Sequence, residues 1–115
     1  LELFNNGNLY RDFTYIDYVV DYVFQIIEKP PKLDLPHRVL NIGNTKKVYL
    51  LDFINTLEKE LGKKIKKNYM PMQKGDVHAT LSDSSLLKRI TGYNPKTNYK
   101  IGIKKFIKWY LNYYH

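Results

Sequence analysis

Two short stretches of this sequence hold polar residues that packing does not account for. The first is Arg11-Asp12, just ahead of an apolar-periodic segment. Only three of the 19 basic side chains are arginines, in a chain that otherwise uses lysine. A guanidinium presents a planar fork of donors suited to bidentate grip on a diphosphate, where lysine offers a point charge. A salt bridge to a neighbouring acid is the other use of the same side chain. The second stretch is Gln73-Lys74-Gly75-Asp76, in a segment without periodicity. Its glycine permits a turn with positive φ or close approach to a ligand, which leaves Asp76 to accept hydrogen bonds from a ribose. An ordinary surface turn answers the same pattern. Phe4 stands at the end of a predicted strand, where it either stacks on a base or joins the core.

Other chemistry is excluded by what is missing. The sequence contains neither Gly-x-Gly-x-x-Gly nor Gly-x-x-Gly-x-x-Gly, nor a phosphate loop ending Gly-Lys-Ser/Thr. With no cysteine there is no disulfide framework, thiolate metal site or cysteine nucleophile. His37, His78 and His115 stand singly, without a second ligand at metal spacing. Ser85-Leu86-Leu87-Lys88 fits Ser-x-x-Lys, but its companion motifs are absent and it falls on a helix with an apolar stripe. No catalytic, cofactor-binding or metal-binding residue is therefore expected in this chain.

The elements that must position these residues can be read from periodicity. Leu1 to Phe4 predicts a short strand, and Asn5-Asn6-Gly7-Asn8 a hairpin-type turn. Thr14-Tyr15-Ile16-Asp17 is a Thr-x-x-Asp capping arrangement ahead of a helix. Ile16, Val19, Val20, Val23 and Ile27 form that helix's apolar stripe, and Pro30-Pro31 stops it. Arg38 to Ile42 predicts a β-branched strand ended by Gly43, with Thr45 to Tyr49 leading to a second helix. That helix carries Leu50, Phe53, Ile54, Leu57 and Leu61, with Gly62 as its C-cap. Ile65 to Tyr69 predicts a strand, Met70 to Asp76 a loop, and Asp83 the cap of a short helix closed by Gly92. Thr97 caps the last helix, where Ile103, Phe106, Ile107, Tyr110 and Tyr114 share a face. The expectation is a mixed α/β unit of about four helices with short strands.

At 115 residues, with 43% hydrophobic and 26% charged residues, the chain is one globular unit with a modest core, neither disordered nor fibrous. No apolar run approaches the ~20 residues of a membrane span, and the first residues lack the regions of a secretory signal. A cytoplasmic setting is the expectation. Opening on a strand without Met suggests a piece of something longer. The net charge of +8 raises the odds of a phosphate-bearing partner. The lysines are spread along the chain, densest at Lys63-Lys64-Ile65-Lys66-Lys67, which also describes a solvated surface. A small basic nucleic-acid-binding module is the alternative from another class, although the aromatics sit largely at core-facing helical positions and no helix clusters arginine.

Taken together, Asn6-Gly7 and Arg11-Asp12-Phe13-Thr14-Tyr15-Ile16-Asp17 resemble the Arg-Asp-Phe-x-Tyr-Val-Asp block of the extended short-chain dehydrogenase/reductases. Asn41-Ile42-Gly43, the loop from Pro71 to Val77 and Gly102-Ile103…Phe106…Trp109-Tyr110 resemble further blocks of that family in the same order. The loop is most similar to the UDP-glucuronate 4-epimerase branch, Met-Gln-Pro-Gly-Asp-Val-x-Ala-Thr. Here it runs from Met72 to Thr80 and departs at Lys74. The resemblance implies that Arg11 contacts the diphosphate of a UDP-sugar, Asp76 holds the uridine ribose and Phe4 lies against uracil. Gln73 stands where UDP-galactose epimerases have a phosphate-binding arginine. The resemblance also implies a C-terminal substrate-binding portion. The NAD-binding Rossmann domain and the catalytic Tyr-x-x-x-Lys pair would lie upstream of Leu1, and NAD would bind there, with no cofactor on this portion. The implied partners are a UDP-sugar, UDP-glucuronate foremost, and that missing domain, in a homodimeric full-length enzyme with neither nucleic acid nor membrane as partner. C4 epimerisation through a ketone, serving polysaccharide biosynthesis, is the implied activity. Another nucleotide-sugar epimerase or 4,6-dehydratase is the alternative within the family, and this portion alone is expected to be inactive.

Overall fold

Leu3, turned inward between exposed Glu2 and half-buried Phe4, begins the fold as part of β1 (Glu2–Leu3). The computed structural model describes residues 1–32, 34–94 and 98–114. A 3-10 turn (Phe4–Gly7) leads to β2 (Tyr10–Arg11), α1 (Ile16–Ile27), β3 (Val48–Tyr49) and α2 (Leu50–Leu61). Then come β4 (Asn68–Tyr69), α3 (Ser85–Thr91) and α4 (Tyr99–Tyr114). The mixed α/β expectation matches the described residues, with four α-helices and strands of two residues each.

The turn at Asn5-Asn6 is real, with φ of 50° and 53°, a region that asparagine tolerates better than most residues. It does not close a hairpin, however. β1 pairs in parallel with β4, Leu3 opposite Tyr69, while β2 pairs antiparallel with β3, Arg11 opposite Val48. Each two-residue pair is completed by loop hydrogen bonds such as Asn6 N–H to Met70 O, at 2.9 Å. The predicted strand from Arg38 to Ile42 is not one, and Val39 is 76% exposed. Its β-branched residues favour extension, but among the described residues no strand lies beside it to form a ladder. β4 is likewise shorter than the predicted Ile65 to Tyr69.

The helices fall where periodicity puts them, but their faces differ. On α1 the buried residues are Tyr18 and Tyr22, whereas Ile16, Val20, Val23 and Ile27 face outward. α1 is apolar over more than one face, and the tyrosine face is the one that meets α3 and its C-terminal turn. There the Tyr22 ring meets the Tyr93 ring edge-on at 5.1 Å, and its hydroxyl donates to Tyr93 O at 3.2 Å. Thr14 does not cap α1: Tyr15 occupies the N-cap position without a side-chain bond, and Asp17 turns to Lys105 at 3.0 Å. At α3, Ser84 takes the N-cap position, and Asp83 serves the helix start by accepting the Ser85 N–H at 2.9 Å. The cap at Thr97 lies outside the described residues.

α2 and α4 pack together through Ile54, Ile103 and Ile107, with Gly62 closing α2 in the left-handed conformation. Phe13 stacks on Phe53 at 3.8 Å, and an apolar cleft of about 330 Å³ opens between them, Tyr15 and Phe106. Of the shared face predicted for α4, only Ile103 and Ile107 are buried, while Phe106, Tyr110 and Tyr114 are exposed with Trp109 and Tyr113. The molecule is open for its size. Its Cα radius of gyration is 17.2 Å, against about 13 Å for a compact domain of this length. No described helix is long and apolar enough to cross a membrane.

Candidate functional site

Arg11 and Asp76 are 65 residues apart in sequence and meet at 2.7 Å. β2 makes this possible. It is held on one side by β3, and on the other by a parallel bridge from Tyr10 to Ala79. Around that bridge, Tyr10 N–H donates to His78 O at 3.0 Å and Thr80 N–H to Tyr10 O at 3.2 Å. The 76–80 segment therefore runs beside β2. Arg11 Nη1 donates to the carbonyls of Tyr10 at 2.8 Å and Val77 at 2.9 Å, with His78 O at 3.5 Å. The salt bridge that was the alternative reading of Arg11 is present, but its partner is the other candidate residue.

The loop turns at Gly75, whose φ of 83° is open to glycine and strained for other residues. Asp76 N–H donates back to Gln73 O at 3.2 Å, and Asp76 Oδ1 accepts Val77 N–H at 2.8 Å as well as Arg11 Nη2. A guanidinium has five N–H donors. The three close bonds above leave Nε–H and one Nη2 hydrogen without a partner among the described residues, and Asp76 Oδ2 likewise. The site thus offers donors and an acceptor side by side. The two side chains are 23% and 28% exposed, open enough to be reached and dry enough for hydrogen bonds to count.

Phe4 begins the 3-10 turn after β1 and is half-buried. Pairing of β1 with β4 and the bond from Met70 N–H to Leu3 O bring this turn to the root of the loop. Gln73 and Lys74 are exposed, and neither side chain is hydrogen-bonded to a described residue. The structure brings Arg11 and Asp76 into contact and places Phe4 at the base of the same loop, while Gln73 stays at the rim. Sequence reasoning missed the carbonyls of Val77 and His78, which carry no side-chain signal. It also gave no task to Asp12, whose carboxylate accepts three backbone N–H groups, from Asn44 at 3.1 Å and from Thr45 and Ser82 at 3.0 Å. Among the described residues no group of His, Cys, Asp and Glu side chains is placed to hold a metal ion.

No family model matches the chain. It is 39% identical over 120 residues to UDP-glucuronate 4-epimerase 4 of Arabidopsis thaliana, across 96% of this chain and 28% of that protein. Its fold is similar to UDP-glucuronic acid 4-epimerase from Bacillus cereus in complex with UDP-glucuronic acid and NAD. The TM-score there is 0.77, with 32% identity over 90% of this chain and 32% of the other. UDP-glucose 4-epimerase of Thermotoga maritima with UDP-glucose matches all of this chain and 36% of its own length, at a TM-score of 0.86 and 25% identity. The chain spans about a third of the length of the curated relatives it matches. By sequence and by fold, it corresponds to the C-terminal part of the UDP-glucuronate and UDP-glucose 4-epimerases, NAD-dependent members of the extended short-chain dehydrogenase/reductase family.

Proposed function

We propose that this chain is the UDP-sugar-binding side of an NAD-dependent nucleotide-sugar 4-epimerase, with UDP-glucuronate as its substrate. The observation that carries the proposal is the Arg11–Asp76 pair, which leaves N–H donors beside a carboxylate oxygen at a partly buried loop. A nucleoside diphosphate needs both: donors for phosphate oxygens and an acceptor for ribose hydroxyls. Phe4 at the loop's base suits the face of uracil, and Gln73 and Lys74 stand at the rim. The choice of UDP-glucuronate rests on the loop from Met72 to Thr80 and on the similarity to UDP-glucuronate 4-epimerases.

The residues of this chain do not fit NAD. It has no glycine-rich phosphate turn, and none of its eleven tyrosines is followed by lysine four residues on. The Rossmann domain that binds NAD and the catalytic pair belong to a part of the enzyme ahead of this one. The task left to this chain is to capture and orient the substrate. Two or three charged hydrogen bonds, less the cost of association, correspond to millimolar affinity for UDP or weaker.

Calorimetric titration with UDP and with uridine tests this reading, because uridine lacks the diphosphate. The wild-type chain should prefer UDP, and Arg11→Lys should reduce that preference by about ten- to a hundredfold while uridine binding changes little. A wild-type chain that binds both equally, or a variant that keeps the preference, would show that Arg11 does not hold phosphate.

A further inference from the structure

The contact between β2 and the loop segment beside it is one bridge long, Tyr10 to Ala79. Its two backbone hydrogen bonds are too few to fix a register. Register nevertheless decides whether Arg11 reaches Val77 O and Asp76 Oδ1 or meets their neighbours. The residue after Arg11 supplies what the backbone lacks. Asp12 N–H donates to Thr80 Oγ1 at 3.3 Å, and Asp12 Oδ2 accepts Ser82 N–H at 3.0 Å, which pins the segment beyond the bridge. The same carboxylate is itself anchored, accepting Asn44 N–H on Oδ1 at 3.1 Å and Thr45 N–H on Oδ2 at 3.0 Å. Thr45 holds φ at 58°, an uncommon conformation for a β-branched residue, and two successive N–H groups converge on Asp12 there.

We infer that Asp12 is a positioning residue of the nucleotide site, locking the register of residues 76–82 against β2 and so aiming the Arg11–Asp76 pair. The ligand half of this inference rests on the proposed function, and the register half stands without it. Asp12→Asn keeps the shape but replaces one acceptor oxygen with a donor that faces backbone N–H groups. Thr80→Val, at an exposed position, removes only the bond to Asp12 N–H.

Solution NMR of the 115-residue chain and these variants tests the inference, with Tyr93→Phe as a destabilised control at the α1–α3 contact. One readout is exchange protection of the Arg11 Nη1 hydrogens, held by Tyr10 O and Val77 O. The other is the dissociation constant for UDP. Asp12→Asn should lower that protection at least tenfold and weaken UDP binding at least tenfold. Thr80→Val should lower the protection less, and Tyr93→Phe should leave it unchanged. A folded Asp12→Asn chain with wild-type Arg11 protection would overturn the inference. If Asp12→Asn does not fold, unchanged protection in Thr80→Val has the same force. A wild-type chain that ignores UDP would sink the nucleotide reading, while Arg11 protection still decides the register claim.

Discussion

Glu58 shows at the scale of one residue how the chain prepares the strand that supports its site. The carboxylate is buried at the end of α2 and accepts Lys67 Nζ at 2.5 Å, Ile65 N–H at 2.9 Å and Lys64 Nζ at 3.1 Å. It thereby folds the connection into β4, the strand that pairs with β1 just before Phe4. These bonds, Lys67 first and then the Ile65 N–H, hold its pKa down to about 2. A carboxyl group depressed in the folded state contributes stability above its unfolded pKa of about 4.5, lost as pH falls toward 2. Glu58→Gln should therefore lower the urea midpoint at pH 7, and the gap from wild type should close between pH 4.5 and 2; a gap constant over that range would contradict this. Tyr93 runs the other way. Its hydroxyl donates to Asp21 Oδ2 at 2.9 Å, which pushes its pKa up to about 12. Its contribution is complete below the unfolded pKa near 10 and is lost as pH rises to 12. Burial raises Tyr22 as well, so ultraviolet titration should show a late tyrosine step that Tyr93→Phe reduces; a late step of unchanged size in that variant would contradict the Tyr93–Asp21 bond.

At the scale of elements, close approach matters more than regular pairing. Gly43 lies against the 80–84 segment, where a Cβ would come within 2.3 Å of Ser82 Cβ and 3.0 Å of Asp12 Oδ2. Gly43→Ala should cost about 1–3 kcal/mol by overpacking, lower the melting temperature, and weaken UDP binding through Asp12. Unchanged melting and binding would show that this contact yields freely. The helices are legible in the sequence because 3.6-residue periodicity is local: α1 and α2 start and stop where the apolar repeats and Gly62 indicate. Which face a helix buries is not local. The aliphatic stripe of α1 turns outward because Tyr18 and Tyr22 are the residues that meet the α3 side. The strands are too short for a pattern, and β1 and β2 take partners that no turn signal between them foretells. Arg11 and Asp76 stand out by residue type, but their contact depends on a parallel bridge between distant segments. Asp12 is legible as a polar residue before a helix and illegible as a hub, because its partners are backbone N–H groups.

The whole molecule exposes 8,634 Å², whereas a folded monomer of its 13.7 kDa exposes about 6,600 Å². The excess falls partly on apolar faces, Val20, Val23 and Phe24 on α1 and the aromatic end of α4. An isolated chain of this kind should bind a hydrophobic dye and unfold over a broad temperature range. A sharp transition without dye binding would show that these faces close on themselves in solution. The site, by contrast, is held by bonds internal to the chain, so nucleotide recognition should survive in the chain by itself. Amide correlation spectra recorded during a UDP titration test that claim most directly. Shifts should be confined to the Phe4–Gly7 turn, Arg11 and residues 73–78. No shifts, or shifts gathered instead on the lysines of residues 63–67, would contradict it.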